Sequence, residues 1–136
     1  MKKAIFAAGI AAVISSLSFA ETPSPEGAEA YIIAPADGAT VPQTFRVQFG
    51  LKGMGVAPAG IDKENTGHHH LMIDGTEMPM MGSAMGKEVK HFGGGQTETT
   101  LTLEPGRHTL QLIMGDQSHM PHNPPVMSQK ITITVE

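Results

Sequence analysis

Apolar and polar residues alternate with a period of two along much of this chain. Phe45, Val47 and Phe49 fall on one parity, and Arg46 and Gln48 fall on the other. Neighbouring side chains of a β-strand point to opposite faces, so this alternation predicts a half-buried strand. The same pattern recurs at residues 101–103, 110–114 and 131–135.

Turn signals separate these strands. They are Asp37-Gly38, Asp74-Gly75 and Pro105-Gly106, and the last of them predicts a hairpin between the strands on either side of it. The pattern contains no helical stripe of any length. Roughly six or seven short strands in about a hundred residues predict one all-β domain, a small antiparallel β-sandwich of the immunoglobulin-like kind.

The first twenty residues have the pattern of a signal peptide. Two lysines precede an apolar run at residues 4–13, and Ser18 and Ala20 supply the small residues of a cleavage site. This pattern predicts removal of residues 1–20 and a periplasmic location. Because the chain has no cysteine to carry a lipid and no second hydrophobic segment, we expect no membrane anchor.

The rest of the chain divides into a leader and one domain. Residues 21–30 carry two prolines, a glycine and three glutamates, which predicts a flexible leader. The β-sandwich domain is expected at residues 31–136. Within it, residues 78–95 are rich in Met and Gly, and residues 115–125 are rich in His, Asn and Pro. Both segments are predicted to be loops on the sheet framework, where function is usually located.

The net charge excludes one class of partner. It is −4 for the whole chain and becomes −6 when the two lysines of the signal peptide are removed. A chain of this charge without a basic patch repels phosphate backbones, so nucleic acid is not an expected partner.

Histidines provide the strongest functional signal. All seven lie between His68 and His122. If residues 68–74 form a strand, His68 and His70 share one face while His69 faces the core. Two imidazoles at this spacing can converge on one metal ion, with a further ligand from another segment. The candidate histidine ligands are His68, His70, His91, His119 and His122.

Other residues near the histidines have simpler roles. His69 and His108 are predicted to make structural hydrogen bonds on the core-facing side. Asp74 and Asp116 are candidates either for orienting a ligand histidine or for forming a turn. A purely structural role is also the alternative for the whole histidine set, but several histidines at chelating spacings favour metal binding.

Methionines form a second signal. Thioethers are soft ligands that prefer cuprous copper, whereas imidazole accepts cupric copper, zinc and nickel. Histidine and methionine together therefore indicate copper, with zinc as the alternative. Equally, the methionines can fill irregular gaps in the core, form an apolar surface or serve as targets of oxidation. The candidate methionine ligands are Met78, Met80, Met81, Met85 and Met120.

Three stretches stand out together: residues 67–71 (GHHHL), 91–98 (HFGGGQTE) and 121–128 (PHNPPVMS). In this order they resemble an uncharacterised family of exported bacterial proteins, described as a domain of unknown function. The likeness extends from about residue 31 to the end of the sequence. It implies a one-domain β protein exported by Gram-negative bacteria, and it implies no particular activity.

The sequence therefore predicts a periplasmic metal-binding protein. Copper is the expected ion, and the expected role is that of a carrier or buffer with a periplasmic delivery partner. A second hypothesis is an interaction module of the cell envelope that binds a peptide or protein without metal, since immunoglobulin-like frames host such roles. A third, ranked last, is an enzyme with a three-histidine metal centre, for which the sequence places no catalytic acid or base.

Overall fold

The structure is a computed structural model that describes Gly9 and residues 21–136. The signal peptide predicted for residues 1–20 therefore lies outside the described residues, apart from Gly9. In the described part of the chain there are nine strands and no helix, and accordingly no helix there is long and apolar enough to cross a membrane. The prediction of a single all-β domain is confirmed.

The strands form two sheets. In chain order they are β1 (Glu29–Ala34), β2 (Thr40–Val41), β3 (Thr44–Lys52), β4 (Gly55–Val56), β5 (Thr66–Ile73), β6 (Lys90–His91), β7 (Glu98–Thr102), β8 (Gly106–Gly115) and β9 (Ile131–Val135). The smaller sheet has the order β1-β3-β7, and the larger has the order β2-β9-β8-β5-β4, with β6 also paired to β5. All pairs are antiparallel except β2 with β9 and β4 with β5.

The main core lies between the two sheets and follows the alternation in the sequence. Phe45, Val47 and Phe49 of β3 are buried, and they belong to the same cluster as Leu71 of β5 and Leu112 of β8. Burial of these side chains removes apolar surface from water and is the main force that holds the sheets together.

The hairpin predicted at Pro105-Gly106 is wrong. Strand β7 pairs with β3, whereas β8 pairs with β5 and β9, so the turn carries the chain from one sheet to the other. Turn residues specify a reversal of direction and do not specify that the flanking strands pair. Leu101 and Leu110 enter the same core from opposite sheets, and this burial is the physical reason for the crossing.

The larger sheet is also covered on its outer face. There, Met72 of β5 and Ile113 of β8 pack with Met85, Val89 and the half-buried Met127. The segment predicted as a loop over residues 78–95 therefore lies across the sheet, and it contains the short strand β6. Consequently β5 is buried on both faces, so the side chains that it presents are held by packing on either side.

Residues 21–30, predicted as a flexible leader, make defined contacts. Strand β1 begins at Glu29, two residues before the expected domain start. Further upstream, Pro23 forms an isolated β-bridge with Asn123. The amino-terminal part of the described chain is thus packed against the loop that follows β8.

Candidate metal centre

Strand β5 presents two histidines on its outer face. His68 and His70 are both 0% exposed, and their rings lie 4.4 Å apart between centroids. His69 points to the opposite side, where its ring packs 5.2 Å from that of Phe49. This arrangement follows from the two-residue period of a strand, as the sequence predicts.

Four imidazoles converge beside this strand. Nδ1 of His119 lies 2.9 Å from Nε2 of His68 and 3.2 Å from Nε2 of His70. Nδ1 of His91 lies 3.2 Å from the same atom of His119. We call these four residues the histidine cluster. Of them, His68, His70 and His119 place ring nitrogens within 4.8 Å of one another, as a shared metal ion requires.

Hydrogen bonding alone does not satisfy the histidine cluster. The Nδ1 atom of a neutral imidazole carries either one proton or one lone pair, yet Nδ1 of His119 faces three other ring nitrogens. A metal ion with Zn–N-like bonds of roughly 2.0–2.1 Å would separate neighbouring ligand nitrogens by about 2.9 Å at right angles and about 3.3 Å at tetrahedral angles. The three separations from Nδ1 of His119, 2.9–3.2 Å, match this range. His68, His70 and His119 of the histidine cluster can therefore hold a metal ion.

A tight turn positions His119. Oδ1 of Asp116 accepts hydrogen bonds from the backbone N–H groups of Ser118 (2.8 Å) and Met120 (3.0 Å). The carbonyl of Asp116 accepts one from the N–H of His119 at 3.0 Å. His119 itself has a φ of 62°, an unusual backbone conformation for a residue with a side chain. Asp116 thus acts as the turn residue that aims His119, which is one of the two roles considered for it.

The segment that covers the outer face of the larger sheet, residues 78–95, holds His119 and His91 through two hydrogen bonds. The N–H of Met85 donates to the carbonyl of His119 at 2.8 Å. Nε2 of His91 lies 2.8 Å from the carbonyl of Gly86, and because a carbonyl only accepts, this nitrogen carries the proton. The lone pair of His91 is then on Nδ1, the atom that faces His119. Such a hydrogen bond fixes the tautomer in which a histidine binds metal.

Burial keeps the inner histidines neutral. The pKa of His68 falls to about 4, mainly through burial and then through the nearby His119 and His91. The pKa of His70 falls to about 3, again mainly through burial and then through His68 and His91. Near neutral pH both rings therefore have a lone pair free for a metal ion, because protonation does not compete.

A glycine makes room for His70. A Cβ atom built on Gly115, the last residue of β8, would overlap the His70 ring and would lie 3.0 Å from Cε of Met85. The backbone of β8 is thus close to the imidazole, and no other residue fits without movement.

We predict that Gly115→Ala will weaken metal binding by about tenfold or more, since second-sphere changes that misorient a ligand typically cost 10–100-fold. The measurement is competition for the metal against a chelator, alongside thermal unfolding. Gly55→Ala is the matched control, because its Cβ would meet only Cγ2 of Thr66 at 3.7 Å. Equal affinities of the two variants would show that the space at Gly115 does not matter to the site.

The structure does not bring His122 into the histidine cluster. Its ring is 1% exposed, and its Nε2 lies 3.2 Å from the carbonyl of Thr66. A Cβ on Gly67 would lie 2.7 Å from Cε1 of the His122 ring, so the ring packs against the start of β5. His119 and His122 are only three residues apart, but the turn directs the first to the cluster and the second to the backbone.

The candidate methionines lie at different depths. Met78 and Met80 are 43% and 74% exposed, whereas Met85 is buried in the outer-face cluster. Met81 and Met120 are half-buried. In the described residues, the only methionine sulfur in a hydrogen bond is Sδ of Met80, which accepts from Oγ of Ser83 at 3.7 Å. Met85 and the His70 ring both lie close to the position that a Cβ on Gly115 would occupy.

His69 and His108, for which structural hydrogen bonds are predicted, differ in whether those bonds form. Nδ1 of His108 lies 2.7 Å from Oδ2 of Asp74, and its Nε2 lies 2.7 Å from the carbonyl of Glu104. The Asp74 hydrogen bond raises the pKa of His108. By contrast, both ring nitrogens of His69 are buried with no hydrogen-bond partner, so the hydrogen bond predicted for His69 is not formed. Its neighbours in the main core are apolar, and Phe49 offers only a ring face.

Two features that shape the metal centre could not be predicted from the sequence. The Gly86 carbonyl and the space at Gly115 are backbone features, and residue type does not record them.

The fold and the site together define an all-β domain with a partly buried histidine cluster that can hold a metal ion. The chain belongs to the family described as Domain of unknown function (DUF4399), whose model matches residues 47–136, a range that includes the whole histidine cluster. This match confirms the resemblance to an uncharacterised family.

No curated protein and no solved structure matches the chain.

Proposed function

We propose that the histidine cluster binds copper and that the protein acts outside the cytoplasm as a copper carrier or buffer. The observation that carries this proposal is the convergence of the ring nitrogens of His68, His70 and His119, which lie within 4.8 Å of one another, with Nδ1 of His91 3.2 Å from Nδ1 of His119. Nδ1 of His119 cannot satisfy its three contacts by hydrogen bonding, whereas a cation can use the lone pairs of His68, His70 and His119 together.

The choice of copper rests on the ligands. For sites made of nitrogen donors, affinity among divalent first-row metals is highest for cupric copper and falls again at zinc. His68 and His70, whose pKa values are lowered to about 4 and about 3, need not lose a proton before they bind. Methionines in residues 78–85, among them the buried Met85 near Gly115, add donors of the kind that cuprous copper prefers.

A carrier role is supported by the uneven exposure of the ligands. His68 and His70 are fully buried on a rigid strand, while His91 is exposed and His119 is half-buried. A metal ion held by these residues is anchored on one side and accessible on the other. Accessible ligands let a delivery partner replace them one at a time, which is how a carrier releases its cargo. The periplasmic location of this exchange is supported by the signal-peptide pattern at residues 1–20.

The test is titration of residues 21–136, without a histidine tag, with cupric copper and with zinc against competing chelators at pH 7. We expect one copper ion per chain, bound more tightly than zinc by the affinity order of nitrogen sites. Binding of neither metal in stoichiometric amounts would refute the proposal. Tighter binding of zinc would refute its assignment to copper.

A further inference from the structure

The first described residues of the domain are paired with the loop that carries His119. The N–H of Asn123 donates to the carbonyl of Thr22 at 2.9 Å, and the N–H of Ser24 donates to the carbonyl of Asn123 at 3.2 Å. Oγ of Ser24 also donates to the carbonyl of Pro124 at 2.6 Å. We call residues 21–24 the amino-terminal segment. It runs beside the loop and pairs with it through one isolated parallel β-bridge, between Pro23 and Asn123.

Thr22 completes the hydrogen bonding of the carboxylate that shapes the turn. Its Oγ1 donates to Oδ2 of Asp116 at 2.6 Å, while Oδ1 of Asp116 is occupied by the amides of Ser118 and Met120. Asp116 is only 2% exposed. A buried carboxylate is costly unless its oxygens accept hydrogen bonds, so the Thr22 hydroxyl stabilises the conformation of Asp116 that aims His119.

The amino-terminal segment also lies near the second segment that supports the site. A Cβ on Gly82 would lie 3.3 Å from Oε1 of Glu21. Gly82 belongs to the segment over the outer face of the larger sheet, in which the Met85 N–H holds the His119 carbonyl. Residues 21–24 therefore lie against both parts of the chain that fix His119.

We infer that the amino-terminal segment is a positioning element for the metal centre and that its docking is energetically coupled to metal binding. This inference rests on the proposed function of the histidine cluster. The segment lies outside the region matched by the family model, which begins at residue 47. Coupling between two sites is reciprocal, so a segment that favours the metal-binding position of His119 must itself be held more firmly when metal is bound.

The first test removes one hydroxyl. Thr22→Val keeps the size of the side chain but loses the hydrogen bond to Asp116, and Thr22→Ser restores it. Thr44→Val is the matched control, since Oγ1 of Thr44 makes an exposed hydrogen bond with Thr102 at 3.0 Å, away from the cluster. We expect Thr22→Val to weaken copper binding about fivefold or more, and the serine variant and the control to remain within about twofold of the wild type.

The second test needs no variant. Hydrogen exchange of the backbone amides of Ser24 and Asn123, followed by mass spectrometry, should slow when copper or zinc is added to the wild type. Equal metal affinities of Thr22→Val and Thr44→Val, or exchange that is unchanged by metal, would overturn the coupling while leaving the proposed function intact. A wild type that binds neither metal would overturn the proposed function and the coupling with it.

Discussion

Replacing His68 and His70 together by alanine should abolish tight copper binding. These two residues supply two of the three ring nitrogens that can share a metal ion, from a strand that is buried on both faces. Changes that merely disturb the surroundings of a ligand cost 10–100-fold in affinity, so the loss of two ligands should cost at least about a hundredfold. The measurement is competitive titration, with far-ultraviolet circular dichroism to show that the β fold is retained.

The matched control for this variant is His122→Gln. His122 is also buried but contacts the Thr66 carbonyl through Nε2, and a glutamine amide can replace that donor. The control should bind copper with an affinity close to that of the wild type. Wild-type binding by the double variant, or an equal loss in the control, would show that the histidine cluster is not the site.

The metal-free protein should lose stability steeply between about pH 6.5 and pH 4. The pKa values of His68 and His69 fall to about 4 and that of His70 to about 3 in the folded protein, whereas an unfolded histidine titrates near 6.5. In this window the unfolded chain binds more protons than the folded one. The contribution of these histidines to the free energy of unfolding is therefore fully present above the unfolded pKa and is lost as pH falls toward the folded pKa. Each such histidine contributes a slope on the order of 1 kcal/mol per pH unit.

His108 acts in the opposite direction. Its pKa is raised by the hydrogen bond with Asp74, so its contribution is fully present at low pH and is lost as pH rises through the folded pKa. One partly solvated pair offsets only a small part of the loss from three buried rings. Urea unfolding at a series of pH values measures the net slope, and a free energy of unfolding that is flat or rising toward pH 4 would contradict the expectation.

His69→Leu isolates one of these rings without touching the metal ligands. The ring of His69 is fully buried, with both nitrogens unpaired, and leaving a buried polar group unsatisfied costs about 1–3 kcal/mol. Leucine should therefore raise the free energy of unfolding at neutral pH and reduce its dependence on pH, while copper affinity stays close to that of the wild type.

The alternation of residues predicts the part of the site that lies on a strand. A period of two is enough to place His68 and His70 on one face and His69 on the other, because β5 is regular over its whole length. Alternation does not show which strands pair. The hairpin that the sequence predicts at Pro105-Gly106 is wrong for this reason, because β7 and β8 pair with other strands. Pairing depends on how Leu101 and Leu110 share the core between sheets.

The part of the site on loops could be predicted only as a set of candidates. His119 and His122 both follow β8 closely, and spacing alone does not show which one turns toward His70. The direction of the His119 side chain is set by Asp116, which accepts hydrogen bonds from two backbone amides, and by the left-handed backbone conformation of His119. The contact of Thr22 with Asp116 spans 94 residues of sequence, and no local pattern predicts a contact of that length.

Pulsed electron paramagnetic resonance of the one-to-one cupric complex tests copper binding by the histidine cluster most directly, because it detects the remote ring nitrogen of each coordinated imidazole. We expect the signal of several equatorial imidazoles in the wild type, unchanged in His122→Gln and lost in the variant with alanine at His68 and His70. A spectrum with no imidazole coordination, or one that the double variant leaves unaltered, would contradict copper binding at this site.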